Sequence, residues 1–150
     1  MKCMQKWVLS EPLVDPIDSQ DILTDTHTFY DIDLCTVTLP ELEFKSQFDL
    51  QVEYKGGLYG FVSWFDCDFS HGDKKVLLST SPYKKQTHWK QTVFYVEEPE
   101  QLVEGDTVTG TINVAKAKDN PRELNVEIRY RVGSSEGDGR KEKVQHYRIS

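Results

Sequence analysis

The sequence predicts an all-β fold, an antiparallel barrel or sandwich with a short helical segment at its N-terminus. Two observations carry that expectation. Apolar residues recur at every second position along several stretches, as they do in strands that bury one face. Clusters of glycine, proline and Asx residues separate these stretches at short intervals, and a 3.6-residue helical period is almost absent.

Taken in order, Trp7, Val8, Leu9, Leu13 and Val14 surround Glu11-Pro12, where a short helical piece would be ended by the proline. Asp18 or Ser19 then caps a short helix or turn. From Thr28 onward the period changes to two, with Tyr30, Ile32 and Leu34 alternating against Asp31, Asp33 and Cys35, and Val37 and Leu39 continuing to Pro40. Phe48, Leu50, Val52 and Tyr54 continue it as a half-buried strand. Gly56-Gly57 reads as a tight turn, because glycine accepts positive φ without steric cost. The return strand, Tyr59 to Phe69, is apolar on both faces, so a hairpin with a central second strand is expected.

Val76-Leu77-Leu78 is a further short strand, and Ser79 to Gln86 a loop. Glu97-Glu98-Pro99-Glu100 reads as an exposed break and Glu104-Gly105-Asp106 as a turn into the strand Thr107 to Val114. Asp119-Asn120-Pro121-Arg122 is a turn with its own chemistry, since Asx side chains imitate a backbone turn. Leu124, Val126, Ile128, Tyr130 and Val132 give the clearest alternation in the chain. A polar, flexible loop from Gly133 to Arg140 leads to an edge strand over Lys143 to Ile149.

Composition narrows the function classes. A chain of 150 residues with 37% hydrophobic and 29% charged residues fits one globular domain with a core of its own. No apolar run reaches membrane-spanning length, no secretory pattern is seen, and no membrane partner is expected. Cys3, Cys35 and Cys67 are odd in number and far apart, which reads as free thiols in a reducing compartment. A net charge of −7 argues against nucleic acid as a partner and suits a basic peptide. Asp66, Cys67, Asp68, His71 and Asp73 lack the glycine and terminal glutamate of a calcium loop and the cysteines or histidines of a zinc site, so no metal is expected. The acidic residues Glu97, Glu98, Glu100, Glu104 and Asp106 read as a solvated turn, with a docking surface for arginine-rich segments as the alternative.

The most informative stretch is Thr87-His88-Trp89-Lys90-Gln91-Thr92-Val93-Phe94-Tyr95. Three side chains able to hydrogen-bond, coordinate or stack stand at the head of a β-branched and aromatic strand, where a rigid element would hold them. Taken alone, a histidine beside a tryptophan is more often a packed surface pair than a catalytic group. Its surroundings add weight. Leu78-Ser79-Thr80-Ser81-Pro82 precedes it, and Asn120-Pro121-Arg122-Glu123-Leu124 lies downstream. Ser10-Glu11-Pro12-Leu13-Val14-Asp15, Glu43-Phe44 and Phe48-Asp49-Leu50 lie upstream. With these segments the chain, from Met1 to about Tyr130, resembles the C-terminal β-barrel of the type I protein arginine N-methyltransferases and their Thr-His-Trp loop. The last twenty residues do not match in detail.

The resemblance implies a division at residue 15. Residues 1–15 would be the remnant of a dimerisation arm, and residues 16–150 the substrate-binding barrel. It further implies that His88 closes the catalytic pocket from the barrel side, that Trp89 walls the arginine channel and that Thr87 fixes the turn. The cofactor, S-adenosyl-L-methionine, would be bound by a separate domain that also supplies two glutamates for the substrate guanidinium. The glycine-rich strand-to-helix turn and the Ser-Glu-x-x-Gly-Tyr-like segment of that domain are not in this sequence, so the chain is expected to bind no cofactor and to be inactive alone. The partners implied are that domain, arginine-containing proteins such as histones and Arg/Gly-rich RNA-binding proteins, and a second copy in a homodimer. The setting implied is nucleus and cytoplasm. Two rival readings remain at this level: a stand-alone module that binds arginine-rich peptides without chemistry, and an interaction domain docking a cofactor domain from another chain.

Overall fold

The alternation along the strongest strands dictates a two-layer molecule, because each must hide one row of side chains. The computed structural model describes residues 9–70, 74–134 and 140–150. In chain order its strands are β1 (Leu13–Asp15), β2 (Phe44–Gln51), β3 (Gly56–Ser63), β4 (Asp66–Phe69) and β5 (Val76–Ser79), then β6 (Gln91–Leu102), β7 (Thr107–Lys116), β8 (Leu124–Gly133) and β9 (Lys143–Ile149). Short 3-10 turns occupy Ser19–Asp21 and Leu39–Leu42. All pairings are antiparallel, in sheets ordered β1-β6-β3, β2-β7-β8-β9 and β4-β5. The sheets do not close on one another, so the all-β architecture is an open sandwich. Among the described residues no helix is long and apolar enough to cross a membrane.

The core lies between the two larger sheets. Val126, Ile128, Tyr130 and Val132 of β8 are each at most 2% exposed, and each such burial is worth roughly 1.5–3 kcal/mol before entropy is charged against it. They meet Phe94, Val96 and Leu102 of β6 and Leu58 of β3. Rings cross the layer edge-on, Phe61 against Tyr130 and Phe94 against Tyr147, both with centroids 5.0 Å apart. The Tyr147 hydroxyl donates to the Tyr95 carbonyl at 2.9 Å and ties the sheets together.

Several expected elements appear as read. The Asp18 carboxylate accepts from the Gln20 amide and caps Ser19–Asp21. The Asn120 side chain accepts from Arg122 N–H at 3.1 Å and its carbonyl from Glu123 N–H at 3.0 Å, which makes the β7–β8 turn. β9 is an edge strand.

Others are corrected. β2 and β3 form no hairpin: β2 pairs with β7, and β3 with β6. The chain leaves one sheet for the other at Val52, whose N–H donates to the Asp106 carbonyl and whose carbonyl accepts from Gly105 N–H, both at 2.9 Å. Glu53 and Tyr54 then donate to the Leu23 carbonyl. Gly56 lies within β3 against the end of the Leu23 side chain, which a Cβ would approach to 2.8 Å, and it takes no positive-φ turn conformation. The expected central strand Tyr59–Phe69 is broken after Ser63, and β3 is an edge strand beside a central β6.

No strand spans Tyr30 to Leu39. The Asp33 carboxylate accepts from Cys35 N–H and the Thr36 hydroxyl, and Glu41 accepts from Thr38 N–H at 2.7 Å, so local side-chain bonds outcompete a ladder. The Glu97–Glu100 break is instead a bulge inside β6. Between Leu58↔Glu100 and Gly60↔Tyr95, β3 advances by two residues and β6 by five, and Pro99 sits in the excess, where no ladder donor is needed. The expected helical piece before Pro12 falls largely outside the described residues, as do Cys3, Trp7, Val8, His71, Asp73 and residues 135–139 of the polar loop.

Candidate functional site

Strand β6 is the anchor of the site. Its Val93, Phe94 and Val96 are each 4% exposed, so its first residue is held by packing on the central strand of its sheet. Immediately before it, Thr87 to Lys90 form a tight turn in which Lys90 N–H donates to the Thr87 carbonyl at 3.4 Å. Lys90 has φ of 56°, the one non-glycine positive φ among the described residues. Such a conformation costs a lysine about 1 kcal/mol and persists only where the surroundings impose it.

The turn presents two of its side chains outward, those of His88 and Trp89. His88 is exposed and its ring lies tilted at 31° over Trp89, with centroids 4.0 Å apart. Trp89, 46% exposed, meets Phe65 edge-on at 6.0 Å. Thr87 is half-buried, and its hydroxyl has no hydrogen-bond partner among the described residues, so the turn is held through its carbonyl. The three residues singled out from the sequence therefore sit together, with His88 and Trp89 stacked on an open face. Lys90 Nζ stands 3.4 Å from the Asp15 carboxylate, an exposed pair of small energetic weight that links the turn to β1.

Beneath the turn is a polar layer that the sequence reading did not single out. Gln91 is 4% exposed, and its side chain donates to the Thr80 carbonyl at 2.7 Å and accepts from Ile17 N–H at 2.8 Å. Thr80, 1% exposed, bonds the backbone of Phe65 with its hydroxyl (2.8 and 3.0 Å) and with its own N–H (3.0 Å). A glutamine opening an apolar strand is the signal that could have revealed it. Phe65, Phe69, Val76, Leu77, Tyr83 and Trp89 are large apolar residues left exposed on the elements around this layer. That is more apolar surface than scattered single residues require.

The acidic run divides. Glu97 and Glu98 are exposed, but Asp106 is fully buried and accepts from Val103 N–H at 3.1 Å. Glu100 pairs with Lys143 at 2.9 Å and Arg140 at 3.1 Å. Burial pushes its carboxyl up, yet the hydrogen bonds and charges of Lys143 and Arg140 outweigh this and hold it below the usual range. Glu100 and Asp106 thus clasp β6 to β9 and the turn before β7, which corrects their reading as a solvated turn. Among the described residues no cluster of three His, Cys, Asp or Glu side chains could hold a metal ion.

A cavity of about 550 Å³ opens between the sheets, lined by Phe29, Phe48, Leu50, Phe61 and Ile128 with His27 and Asp25 among its polar members. It does not include Thr87, His88 or Trp89. The site at the turn is therefore an open, aromatic surface with one imidazole, of the kind a flat cation can lie against.

Residues 1–135 match a family profile described as the arginine methyltransferase oligomerization subdomain. Protein arginine N-methyltransferase 1 of Dictyostelium discoideum is 38% identical over 128 residues, 85% of this chain and 38% of that protein. Protein arginine N-methyltransferase 1.1 of Arabidopsis thaliana is 32% identical over 149 residues, 99% of this chain and again 38% of that protein. The chain thus spans little more than a third of these relatives. Among solved structures, the Trypanosoma brucei PRMT1 enzyme–prozyme heterotetrameric complex with AdoHcy matches with a TM-score of 0.89 at 27% identity, over 97% of this chain and 45% of that one. Arabidopsis thaliana protein arginine methyltransferase 10 gives a TM-score of 0.92 at 22% identity, over 99% and 45%, a likeness of fold.

Proposed function

The chain belongs to the protein arginine methyltransferase family, as its oligomerization subdomain, and from that premise we propose that it is the substrate-binding barrel half of an enzyme that dimethylates arginine asymmetrically. The observation that carries this reading is the exposed His88–Trp89 stack, held on β6 and surrounded by uncovered apolar side chains. A guanidinium is charged at every physiological pH, so attack by its nitrogen requires carboxylates that orient it and draw charge toward the reacting atom. The carboxylate bonded at the turn, Asp15, already faces Lys90. In this reading His88 closes the pocket, Trp89 forms one wall of the arginine channel, and the carboxylates come from the domain that covers this face.

S-adenosyl-L-methionine supplies the methyl group in such an enzyme. The described residues do not fit the expected anchoring turn for it: their two helical pieces are 3-10 turns of three and four residues, and neither the link Pro16-Ile17-Asp18 from β1 to the first nor residues 22–38 before the second hold a glycine. The cofactor is assigned, in this proposal, to the rest of a longer protein. Residues 1–15 belong to a dimerisation arm in the same proposal, although Leu13–Asp15 also pair with β6 as β1. The full-length protein acts as a homodimer on histones and Arg/Gly-rich RNA-binding proteins in nucleus and cytoplasm.

The test is methyl transfer from labelled S-adenosyl-L-methionine to a histone tail and to an Arg/Gly-rich peptide. The 150-residue chain alone is expected to transfer none. Transfer by the purified chain would overturn the half-enzyme reading. Tight peptide binding without transfer, lost in His88→Ala, would replace it with a recruiting module.

A further inference from the structure

His88 and Trp89 are both exposed, so burial does not set their geometry. A surface turn with one residue in the left-handed region would sample several arrangements unless something beneath it were fixed. The buried layer supplies that fixture. Gln91 ties residues 17, 80 and 91 together through one side chain, and Thr80 grips Phe65 on both its N–H and its carbonyl. Phe65 places its ring edge-on against Trp89, and Trp89 stacks on His88. The path from Gln91 through Thr80, Phe65 and Trp89 to His88 closes on itself, since Gln91 follows Trp89 by only one intervening residue, Lys90.

The chemistry at position 91 is specific. One partner is an N–H and the other a carbonyl, so an amide satisfies both, with its oxygen toward Ile17 and its nitrogen toward Thr80. A carboxylate would face the Thr80 carbonyl with a second acceptor, and a thioether of the same length would leave both buried groups unpaired. We propose that Gln91 and Thr80 are positioning residues of the Thr87–Lys90 turn: together they hold His88 and Trp89 in one presentation toward the covering domain. Their catalytic importance rests on the function proposed above, but the geometry does not.

The experiment is NMR on the 150-residue chain. A ring at 4.0 Å shifts the His88 carbon-bound protons upfield, and that displacement reports the stack. Thr80→Val and Gln91→Met keep the volume and remove the bonds. Both are expected to return the His88 signals toward those of a free histidine and to broaden the Trp89 indole, while the amides of Val126 and Ile128 stay in place. Thr80→Ser restores a hydroxyl and is expected to keep the displaced signals. Unchanged His88 and Trp89 signals in Thr80→Val and Gln91→Met, with the sheet amides intact, would overturn the proposal. Should either variant unfold, the unsubstituted chain decides. A Gln91 side-chain amide protected from exchange and a displaced His88 support the proposal, whereas rapid exchange with averaged His88 signals overturns it. A turn held in this way in a full-length protein whose His88→Ala variant still methylates would refute the catalytic reading and leave this inference standing.

Discussion

Replacing Tyr130 by phenylalanine tests whether the buried hydroxyl of that side chain stabilises the core. The ring is 1% exposed and packs edge-on against Phe61 at 5.0 Å, contacts that phenylalanine keeps. The hydroxyl is buried without a hydrogen-bond partner among the described residues. An unmet buried hydroxyl costs about 1–3 kcal/mol, whereas a bonded one contributes about 1 kcal/mol. Tyr130→Phe is therefore expected to leave stability unchanged or to raise it by about 1 kcal/mol, measured by urea unfolding at neutral pH with an unchanged slope. Alkaline pH adds a second reading of the same group. Burial first, and then the charges of Glu100 and Glu98, push the Tyr130 phenol up to about 12 from 10.0. The unfolded chain then releases its proton at lower pH than the folded one, so stability is full below pH 10 and is lost as pH rises toward 12. The loss is on the order of 2–3 kcal/mol, and the variant should lose less of its stability over that interval. Tyr147, raised chiefly by burial, keeps part of the alkaline loss in both proteins. A destabilisation above about 1 kcal/mol at neutral pH would show that the hydroxyl is satisfied and would refute the reasoning.

Other outcomes follow from the same geometry. Gly110→Ala would place a Cβ 2.1 Å from the Arg129 carbonyl and 2.6 Å from the Phe48 ring. It is expected to cost about 2–3 kcal/mol in denaturant unfolding, and a neutral result would contradict the β7–β8 register. His88→Ala, at an exposed turn, should leave the chain's stability within about 0.5 kcal/mol, while the function proposed above requires methyl transfer by a full-length protein to fall roughly 10²-fold or more. Because Lys143 and Arg140 hold the Glu100 carboxyl low, its contribution is present above the usual carboxylate pKa and disappears as pH falls through the lowered one. Thermal unfolding between neutral pH and pH 3 should accordingly be flatter for Glu100→Gln than for the unsubstituted chain.

Local chemistry was legible at several places where a residue's neighbours in sequence are also its neighbours in space, although the Asp33, Glu41 and Asp106 side-chain bonds, equally local, were not. The alternation from Leu124 to Val132 states by itself which face of β8 is buried, and the Asn120 turn closes on residues two and three positions away. The Thr87-His88-Trp89 cluster could be read for the same reason, since its stack joins adjacent residues. Bonds across long separations were not legible. Gly56-Gly57 carries a turn signal, and only the meeting of Val52 with Asp106 and of Leu23 with Glu53 shows that the chain changes sheets there. Glu100 looks like a solvated acid until β9 brings Lys143 to it.

By itself, then, the amino-acid order determined several strands with one buried face, β8 above all, and that His88 and Trp89 stand at the head of another, β6. Tertiary structure decided which strands pair, where the two sheets exchange chain, and that a buried glutamine and threonine underlie the turn. The physical reason is range: side-chain alternation and turn preference act over a few residues, whereas the amide of Gln91 acquires its two partners only when residues 17 and 80 are folded against it.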